Sequence, residues 1–450
     1  MAFDTSFERA HHPSERVTGH YTQLSKHRLF HENYNDLHTR PFPVADTPLR
    51  VSHLSILHGD FGSYEMEYRH LSALCQRYTI NPPQPEDTCF YQSFGEFEVR
   101  WERHTEFSTY SFTIYGEDSQ PFEHPPISLI PLDWLQGLPG ELISALHIEV
   151  LDNQDGAQIP DREQLRQYFE GQRLIGSELR EGAATIWSSL RLHNDSFNRI
   201  LLLNNGLNKC QTGRVLRALL ELEAYRNMML LAFPEAQQVS AQVSRMEAQL
   251  ARLVRQISGQ RIPEEEQRQL TELSDLAAAI AELITHSRYR FDAGTAYYQM
   301  VQSRLDELEE QEIDGLQTLS AFVDRRLSPA LRTVEAAKRR LDDLASRVDR
   351  ASDFLRTRID MSIEAQNQAL LKSMDRRAQM QFSLQQTVEG LSVVVITYYV
   401  LSLLHFLLDA ADTFNLGLST ERTIALMLPL VLFSVWILSR RLHRRIGRLK

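Results

Sequence analysis

Two apolar segments near the end of the chain constrain its fold more than any other feature. Residues 390–408 read GLSVVVITYYVLSLLHFLL and residues 423–439 read TIALMLPLVLFSVWILS, and neither segment carries a formally charged side chain. The apolar core of a bilayer is about 30 Å thick, and a helix needs roughly 17–25 apolar residues to cross it. The sequence therefore predicts a transmembrane hairpin, followed by a basic tail, over residues 389–450.

The basic residues around these segments predict their orientation. Six Lys or Arg residues follow the second segment, whereas the loop between the segments has three acidic residues and only Arg422 as a basic one. Because cytoplasmic flanks are enriched in Lys and Arg, we expect both chain ends in the cytoplasm of a bacterial inner-membrane protein with two spans. The alternative is a buried helical hairpin in a soluble protein. The first residues lack the apolar core of a signal peptide, so insertion is expected to depend on the hairpin.

Composition narrows the classes of partner. The formal net charge is -11, although the last residues are basic, so a nucleic-acid partner is not expected. The three cysteines, Cys75, Cys89 and Cys210, show no C-x-x-C spacing and are predicted to be reduced thiols in a cytosolic domain. We expect partners of three kinds: the membrane, further copies of the chain, and proteins that bind the cytosolic domain.

The pattern of apolar residues predicts an α+β protein with four parts. Residues 1–25 are polar and aperiodic and are predicted to be a mobile tail, and residues 26–205 are predicted to be a cytosolic α/β domain with a mixed sheet. Residues 206–388 are predicted to be a helical bundle and stalk, and residues 389–450 the transmembrane hairpin. Strand-like runs occupy 50–57, 94–115, 145–151, 184–192 and 197–203, and a helix is predicted over 64–78.

The predicted stalk is unusual in its continuity. No Gly or Pro occurs between Ala330 and Gly390, so one helix is expected to run directly into the first membrane segment. Its apolar positions, mostly three, four or seven apart, predict a coiled-coil or bundle seam and are Val334, Leu341, Leu344, Val348, Leu355 and Ile359. Nearer the membrane the helix is rich in Asn and Gln, which suit either a solvated face or a hydrated axis of an oligomer.

Several strings together resemble one family. They are RLFHENYNDLHTRPFP from Arg28, RWERHTEFSTYSF from Arg100, LELEAYRNMMLL from Leu220, SRYRFDAGTAYY from Ser287, RTRIDMSIEAQNQALLKSMDRRA from Arg356 and QQTVEGLSVVVITYYV from Gln385. These strings resemble the bacterial "uncharacterised membrane-anchored protein" family, a domain-of-unknown-function group. The resemblance implies an inner-membrane protein and supplies no catalytic residues.

A second resemblance concerns only the plan of the chain. A cytoplasmic α/β domain, a long stalk helix and a C-terminal hairpin with a basic tail resemble the arrangement of CorA-type magnesium channels, which are homopentamers. Their Gly-Met-Asn signature is absent, and the corresponding stretch reads HFLLDAADTFNLGLSTER. The resemblance therefore implies an oligomeric plan without implying magnesium selectivity.

Charged residues alternate along one predicted strand. Residues 96–106 read EFEVRWERHTE, which places the charged residues on one face and Phe97, Val99 and Trp101 on the other. The charged face is expected to be a solvent-exposed set of ion pairs. The alternative is an acidic cation site or a general acid–base surface, and an enzyme would rest on Glu98, Glu102 and His104.

Histidines near the start of the chain offer a second candidate. His27 and His31 are four apart and could share a metal ion on one helix face, with His38, His53 and His58 following, but no third ligand is fixed by the spacing. The favoured interpretation is that these rings bind the backbone, so neither a metal nor a cofactor is predicted. Phosphate-binding, nucleophile-elbow and zinc-protease motifs are absent from the sequence, so an enzyme is not expected.

The polar residues of the first membrane segment are the remaining candidates. They are Glu389 at its inner mouth and then Ser392, Tyr399, Ser402 and His405. Polar groups within a span usually face a bundle interior or water, so these residues are expected to serve helix packing or to line a pore. The sequence thus favours a membrane-anchored oligomeric scaffold or partner-binding protein. The alternative is a CorA-like homo-oligomeric cation channel with this helix lining the pore.

Overall fold

The computed structural model describes residues 25–28, 30, 44–58, 64–116, 118, 120–153, 159–259, 263–412 and 420–446. In these residues the chain forms nine strands and eight α-helices, with a short 3-10 helix at Pro126–Leu129. The predicted tail over residues 1–25 lies almost wholly outside the described residues. The predicted histidine pair also includes His31, which is outside them as well.

The nine strands belong to one sheet. They are β1 (Leu49–Leu57), β2 (Cys89–Ser93), β3 (Glu98–Arg103), β4 (Phe107–Tyr115), β5 (Glu141–Asp152), β6 (Ile175–Leu179), β7 (Ala184–Ser188), β8 (Asn198–Asn204) and β9 (Glu310–Glu312). Their order is β2-β3-β4-β1-β5-β8-β7-β6-β9. Only the β5–β8 pair is parallel among the described pairs, so the sheet is mixed, as predicted.

Helices make up most of the remaining chain. They are α1 (Tyr64–Arg77), α2 (Leu132–Gln136), α3 (Arg162–Tyr168), α4 (Lys209–Leu230), α5 (Ala232–Ile257), α6 (Pro263–Leu308), α7 (Leu319–Asp412) and α8 (Thr420–Ile446). The predicted continuity of the stalk is confirmed, because α7 is a single helix of 94 residues with Pro329 inside it. The α+β class is therefore confirmed.

Pro234 lies inside a helix and does not end one. Helix α4 ends at Leu230, and Pro234 lies in the first turn of α5. A proline is tolerated there because the first backbone N–H groups of a helix have no partner within the helix.

The sheet packs on both faces. One face of β1, with Leu49 and Val51, contacts a core that includes residues of α4, α6 and α7. The other face, with Leu54 and Ile56, contacts a core that includes Leu71 of α1. Successive side chains of a strand point to opposite faces of the sheet, so every second residue of β1 and its neighbours faces α4. The face toward α4 carries the candidate site.

The chain divides into two compact units. The first comprises residues 1–252 and 275–348, and the second comprises residues 253–274 and 349–450. Strand β9 joins the sheet although it follows α6, and so it lies far beyond residue 205, where the sequence predicted the α/β domain to end. The sheet with its helices is thus built from distant parts of the sequence.

Among the described residues, the apolar part of α7 alone is long and apolar enough to cross a membrane. The apolar part of α8, Ile424–Leu438, is shorter. By length and composition, one of the two predicted segments therefore suffices to cross a membrane, and the two-span hairpin stays a prediction.

Candidate functional site

A cavity of about 70 Å³ lies between the sheet and α4. Strands β1, β3 and β4 form one wall, and residues 216–225 of α4 form the other. A cavity that size holds several water molecules or a small polar group, since one water needs only roughly 10–15 Å³ by this measure. Converging polar side chains in a cavity are the usual mark of a ligand site.

The charged face of β3 lines this cavity, which corrects the expectation that it is open to solvent. The side chains of Arg100 and Glu102 retain only 14% and 13% of their exposure, and the Arg100 guanidinium lies 2.8 Å from the Glu102 carboxylate. The opposite face carries Val99 and Trp101 in the apolar core, as predicted. The predicted alternation of charged and apolar residues along β3 is correct. The charged face contacts α4 instead of solvent because the sheet is covered on both faces.

Ion pairs neutralise most charges around the cavity. Burial would raise the pKa of Glu102, but the Arg100 guanidinium outweighs it and holds that pKa below its usual value. On the opposite wall, Arg217 donates to Glu221 at 2.7 Å. The Tyr91 hydroxyl donates to Glu98 at 2.5 Å, and burial together with this carboxylate raises the pKa of Tyr91. Tyr91 is therefore a hydrogen-bond donor at neutral pH.

His53 supplies the one uncommitted ring nitrogen that we find in the described lining of this cavity. It is buried on β1, where its Nδ1 lies 2.8 Å from Ser111 Oγ on the neighbouring strand. Its Nε2 is buried and has no protein partner within the described part of the chain. Burial lowers the pKa of His53 to about 4, so the ring is neutral at pH 7 and can exchange one hydrogen bond with a small polar ligand or a water.

The site thus joins residues that the sequence singled out with residues that it did not. Glu98, Glu102 and His104, the basis of the enzyme alternative, all line the cavity. The sequence did not predict that His53 lines a cavity, because that position depends on the pairing of β1 with β4. It did not predict Arg217 as a cavity residue either, because α4 lies about a hundred residues beyond β3 in the chain. The arrangement can hold a small polar molecule, and no reaction follows from it.

A second buried cluster surrounds Glu67. His58 Nε2 lies 2.7 Å from one carboxylate oxygen, and Ser108 donates to the other at 2.7 Å. The Ser108 hydroxyl also contacts His58 Nε2 at 2.9 Å. A Ser-His-acid triad needs the serine and the acid on different ring nitrogens. Here both meet Nε2, so the cluster joins β4, α1 and the end of β1 without forming a relay.

No metal site is evident in the part of the chain that the structure describes. Groups of three or more His, Cys, Asp or Glu side chains placed to hold a metal are absent from those residues. His53 and His58 bind Ser111, Ser108 and Glu67 as described above, and His38 lies outside the described residues, as does His31.

The predicted residues of the membrane segment all lie on α7. Ser392, Tyr399, Ser402 and His405 are exposed in the single chain, and the Ser392 hydroxyl donates to the Val388 carbonyl at 2.9 Å. Glu389 also lies in α7, but its side chain is outside the described residues. The structure therefore leaves open faces along this segment and does not gather these side chains into a site within one chain.

These features define an α+β protein with a nine-stranded mixed sheet and one helix able to cross a membrane. The chain belongs to the family described as "Protein of unknown function (DUF3422)", whose model matches residues 25–446. The expected membership of a domain-of-unknown-function family is thereby confirmed. Searches of curated proteins and of solved structures find no match.

Proposed function

We propose that the protein is a membrane-anchored scaffold whose copies associate along the membrane-proximal part of α7. The proposal rests on residues 363–388 of α7, whose side chains are all exposed in the single chain. Isolated helices gain little stability from their own hydrogen bonds in water, and most helices are stabilised by packing of an apolar face. A partner helix is therefore expected here.

The residues of this segment follow a heptad. One seam is formed by Ile363, Asn367, Leu370, Met374, Arg377, Gln381, Leu384 and Val388, spaced alternately four and three apart. The opposite side carries Lys372, Gln379 and Gln386. Apolar residues at such spacing pack between parallel helices, and a polar residue in the seam fixes register and the number of strands. The amide-rich stretch thus fits a seam that contains polar positions.

A second copy of the same chain is the occupant we propose for this seam. Copies inserted in one membrane with the same topology run parallel, so each seam residue meets its counterpart. The earlier part of α7 is not available for this purpose, because Val334, Leu341 and Leu344 are buried within the chain. The seam that the sequence predicted from those residues is therefore an internal bundle seam, and the membrane-proximal seam is a separate one.

Exposed polar groups in the membrane segment also support association. His405 and Ser402 are exposed, and Tyr399 keeps 64% of its exposure. Ionisable groups in a span usually face other helices or water and not lipid. Anchoring by two spans in a bacterial inner membrane, with both chain ends cytoplasmic, is part of the proposal and is supported by the basic residues after the second segment. The sheet unit would face the cytoplasm and bind protein partners.

A homo-oligomeric ion channel is the second candidate, favoured by the same exposed polar groups of α7. In a closed ring of subunits, Ser402 and His405 would line a pore. Replacing His405 with alanine would then change ion flux into liposomes by several-fold, whereas it would leave a simple anchor unaffected. Flux that is absent from liposomes containing the wild-type oligomer would exclude the channel and leave the scaffold.

Cysteine crosslinking tests the scaffold directly. In the full chain with Cys89 and Cys210 replaced by serine, Leu384→Cys places a thiol on the seam, and Cys75 stays buried. We expect rapid disulfide dimers in membranes, since the counterpart residues face each other. Gln386→Cys, two residues away on the opposite side, is the matched control and should crosslink slowly. Equal crosslinking at both positions, or none at 384, would contradict the proposed seam.

A further inference from the structure

A cleft lined by arginines lies on the first unit, apart from the cavity described above. It has a volume of about 400 Å³ and lies between the segment that leads into β6, the turn that follows β7 and the second turn of α7. Its arginines are Arg173, Arg191, Arg325 and Arg326. Pockets that bind small molecules measure roughly 300–1,000 Å³, so the cleft has the size of a ligand site.

The charge of this cleft is uncompensated. Its described lining contains no Asp or Glu. Within the part of the chain that the structure describes, none of the four arginines forms an ion pair. All four arginines are exposed to solvent, so their guanidinium groups are accessible to a ligand. Four arginines therefore line one cleft without an acidic residue in its described lining.

Three other arginines of the same unit are paired. Arg217 and Arg304 both contact the Glu221 carboxylate, and Arg304 also contacts Glu307. Arg180 lies 3.7 Å from Glu309 and donates to the Glu307 carbonyl at 2.9 Å. These three arginines are thus paired with carboxylates or a carbonyl, whereas the four arginines of the cleft form no ion pair within the described residues.

The arginines of the cleft are held in place by contacts that leave their guanidinium groups without an acidic partner. The Arg326 guanidinium lies 4.5 Å from the centre of the Phe322 ring, which orients the group and leaves its N–H donors available. Leu190 has φ of 49°, a conformation that is rare for a branched residue. The Arg191 N–H next to it donates to Ser189 Oγ at 3.3 Å, and that hydroxyl contacts His193. The turn that places Arg191 is therefore tied to buried structure.

We infer that this cleft binds a phosphorylated small molecule. Guanidinium groups form paired hydrogen bonds with phosphate oxygens, and several of them around one cavity favour a ligand with more than one negative charge. The backbone N–H groups of Leu319 and Ser320, at the start of α7, already bind the Glu310 carboxylate, so the arginines and not the helix end supply the donors. The phosphate could belong to a soluble metabolite or to a lipid headgroup, and the experiment separates these sources.

The test uses the full chain in nanodiscs of phosphatidylcholine, titrated with inorganic pyrophosphate and with ATP by calorimetry. We expect binding that weakens as salt is added, because the contacts are charged. Arg325→Gln/Arg326→Gln should weaken it at least tenfold. The matched control is Arg245→Gln/Arg252→Gln, which removes two exposed arginines of α5 that do not line the cleft and should leave binding unchanged.

A second arm asks whether the phosphate comes from lipid. Hydrogen exchange over residues 173–191 is compared between nanodiscs of phosphatidylglycerol and of phosphatidylcholine. Protection only with phosphatidylglycerol, lost in Arg325→Gln/Arg326→Gln, would assign the cleft to a headgroup. The inference is overturned if neither soluble probe binds and the two lipids give equal exchange, or if the control pair weakens binding as much as the cleft pair. Neither result bears on self-association along α7.

Discussion

At the scale of single residues, Glu149 shows how the fold sets the charge state of a carboxyl. It lies on β5, is 4% exposed and accepts the Phe122 N–H at 3.0 Å. Burial raises its pKa to about 8, although that hydrogen bond and the Arg50 guanidinium act in the other direction. An unfolded glutamate titrates near about 4.3. Folding therefore takes up a proton between these values, and the stability due to this group falls as pH rises from about 4 to about 8.

We predict that Glu149→Gln stabilises the protein at alkaline pH. The amide keeps the shape and an oxygen to accept the Phe122 N–H, but it removes the buried negative charge. The gain at pH 8 should be on the order of 1–3 kcal/mol and should vanish near pH 4.5. Thermal unfolding of both proteins at the two pH values measures it. A gain that is equal at both values would show that the carboxyl is not protonated in the fold.

The candidate site shows what residue patterns can and cannot predict. Alternation along 96–106 identified the polar and apolar sides of β3, and Glu98, Glu102 and His104 do share one cavity. The covering helix α4 could not be placed, because its position depends on contacts between residues about a hundred positions apart. His53 was noted only among the histidines near a candidate metal pair, and its place in the cavity depends on the β1–β4 register, which sets it opposite Ser111.

At the scale of elements, the start of α7 depends on a carboxylate from outside the helix. One oxygen of Glu310 accepts the Leu319 N–H at 3.1 Å and the Ser177 hydroxyl at 2.8 Å, and the other accepts the Ser320 N–H at 2.8 Å. The carboxylate therefore satisfies two free N–H groups and lies at the positive end of the helix dipole.

We predict that Glu310→Ala destabilises the first unit by about 1–2 kcal/mol, the usual worth of a helix cap with a favourable charge. Glu310→Gln, which keeps one acceptor, should lose less. Hydrogen exchange at residues 319–323 measures the effect locally. Exchange rates that match the wild type in the alanine variant would mean that the cap adds nothing to the stability of this turn.

Gly294 marks a close contact between α5 and α6. A Cβ added there would lie 2.7 Å from the Cβ of Ala232, a distance that real Cβ atoms essentially never show. In an open helix, glycine to alanine stabilises by roughly 1 kcal/mol. Here we predict the opposite sign, a loss of about 1–3 kcal/mol, because the two helices would have to separate.

Gly390→Ala is the matched control for this prediction, since Gly390 also lies inside a helix and a Cβ there meets nothing within 4 Å. Its substitution should leave the melting temperature of the first unit unchanged, because Gly390 lies in the second unit. If Gly294→Ala left the melting temperature of the first unit unchanged or raised it, the contact between α5 and α6 would have to be looser than the structure shows.

The sequence predicted most elements from local signals, and its misses share a cause. The strands β1, β3, β4, β5, β7 and β8 lie within or close to the predicted runs. Strands β2 and β6, of five residues each, were not expected, and β9 has only three residues, Glu310–Glu312, without apolar alternation. Short strands form because a neighbouring strand offers hydrogen bonds, and that neighbour is not visible from the local sequence.

At the scale of the whole molecule, the absence of Gly and Pro between Ala330 and Gly390 predicted the continuity of α7. The division of the chain into two units was harder to predict from the sequence, since each unit combines separate parts of the chain. The sequence predicted one apolar seam on this helix and an amide-rich stretch after it, without showing which of them the chain itself covers. Burial distinguishes the two parts, because Val348 and Leu355 are buried whereas Leu370 and Leu384 keep 61% and 67% of their exposure.

We predict that charges in the exposed seam abolish association without unfolding the chain. Leu370→Asp/Leu384→Asp places carboxylates opposite their counterparts in each neighbouring copy, which opposes packing of the seam. Both positions are exposed in the single chain, so the first unit should keep its melting temperature. Lys372→Asp/Gln386→Asp, on the opposite side of the helix, adds the same two carboxylates and should leave association intact.

The most direct test of the central claim is the subunit count of the full chain in mild detergent, measured by native mass spectrometry. The account predicts more than one copy for the wild type and for Lys372→Asp/Gln386→Asp, and a monomer for Leu370→Asp/Leu384→Asp. A wild-type protein that is monomeric at every concentration and in every mild detergent would contradict self-association along α7.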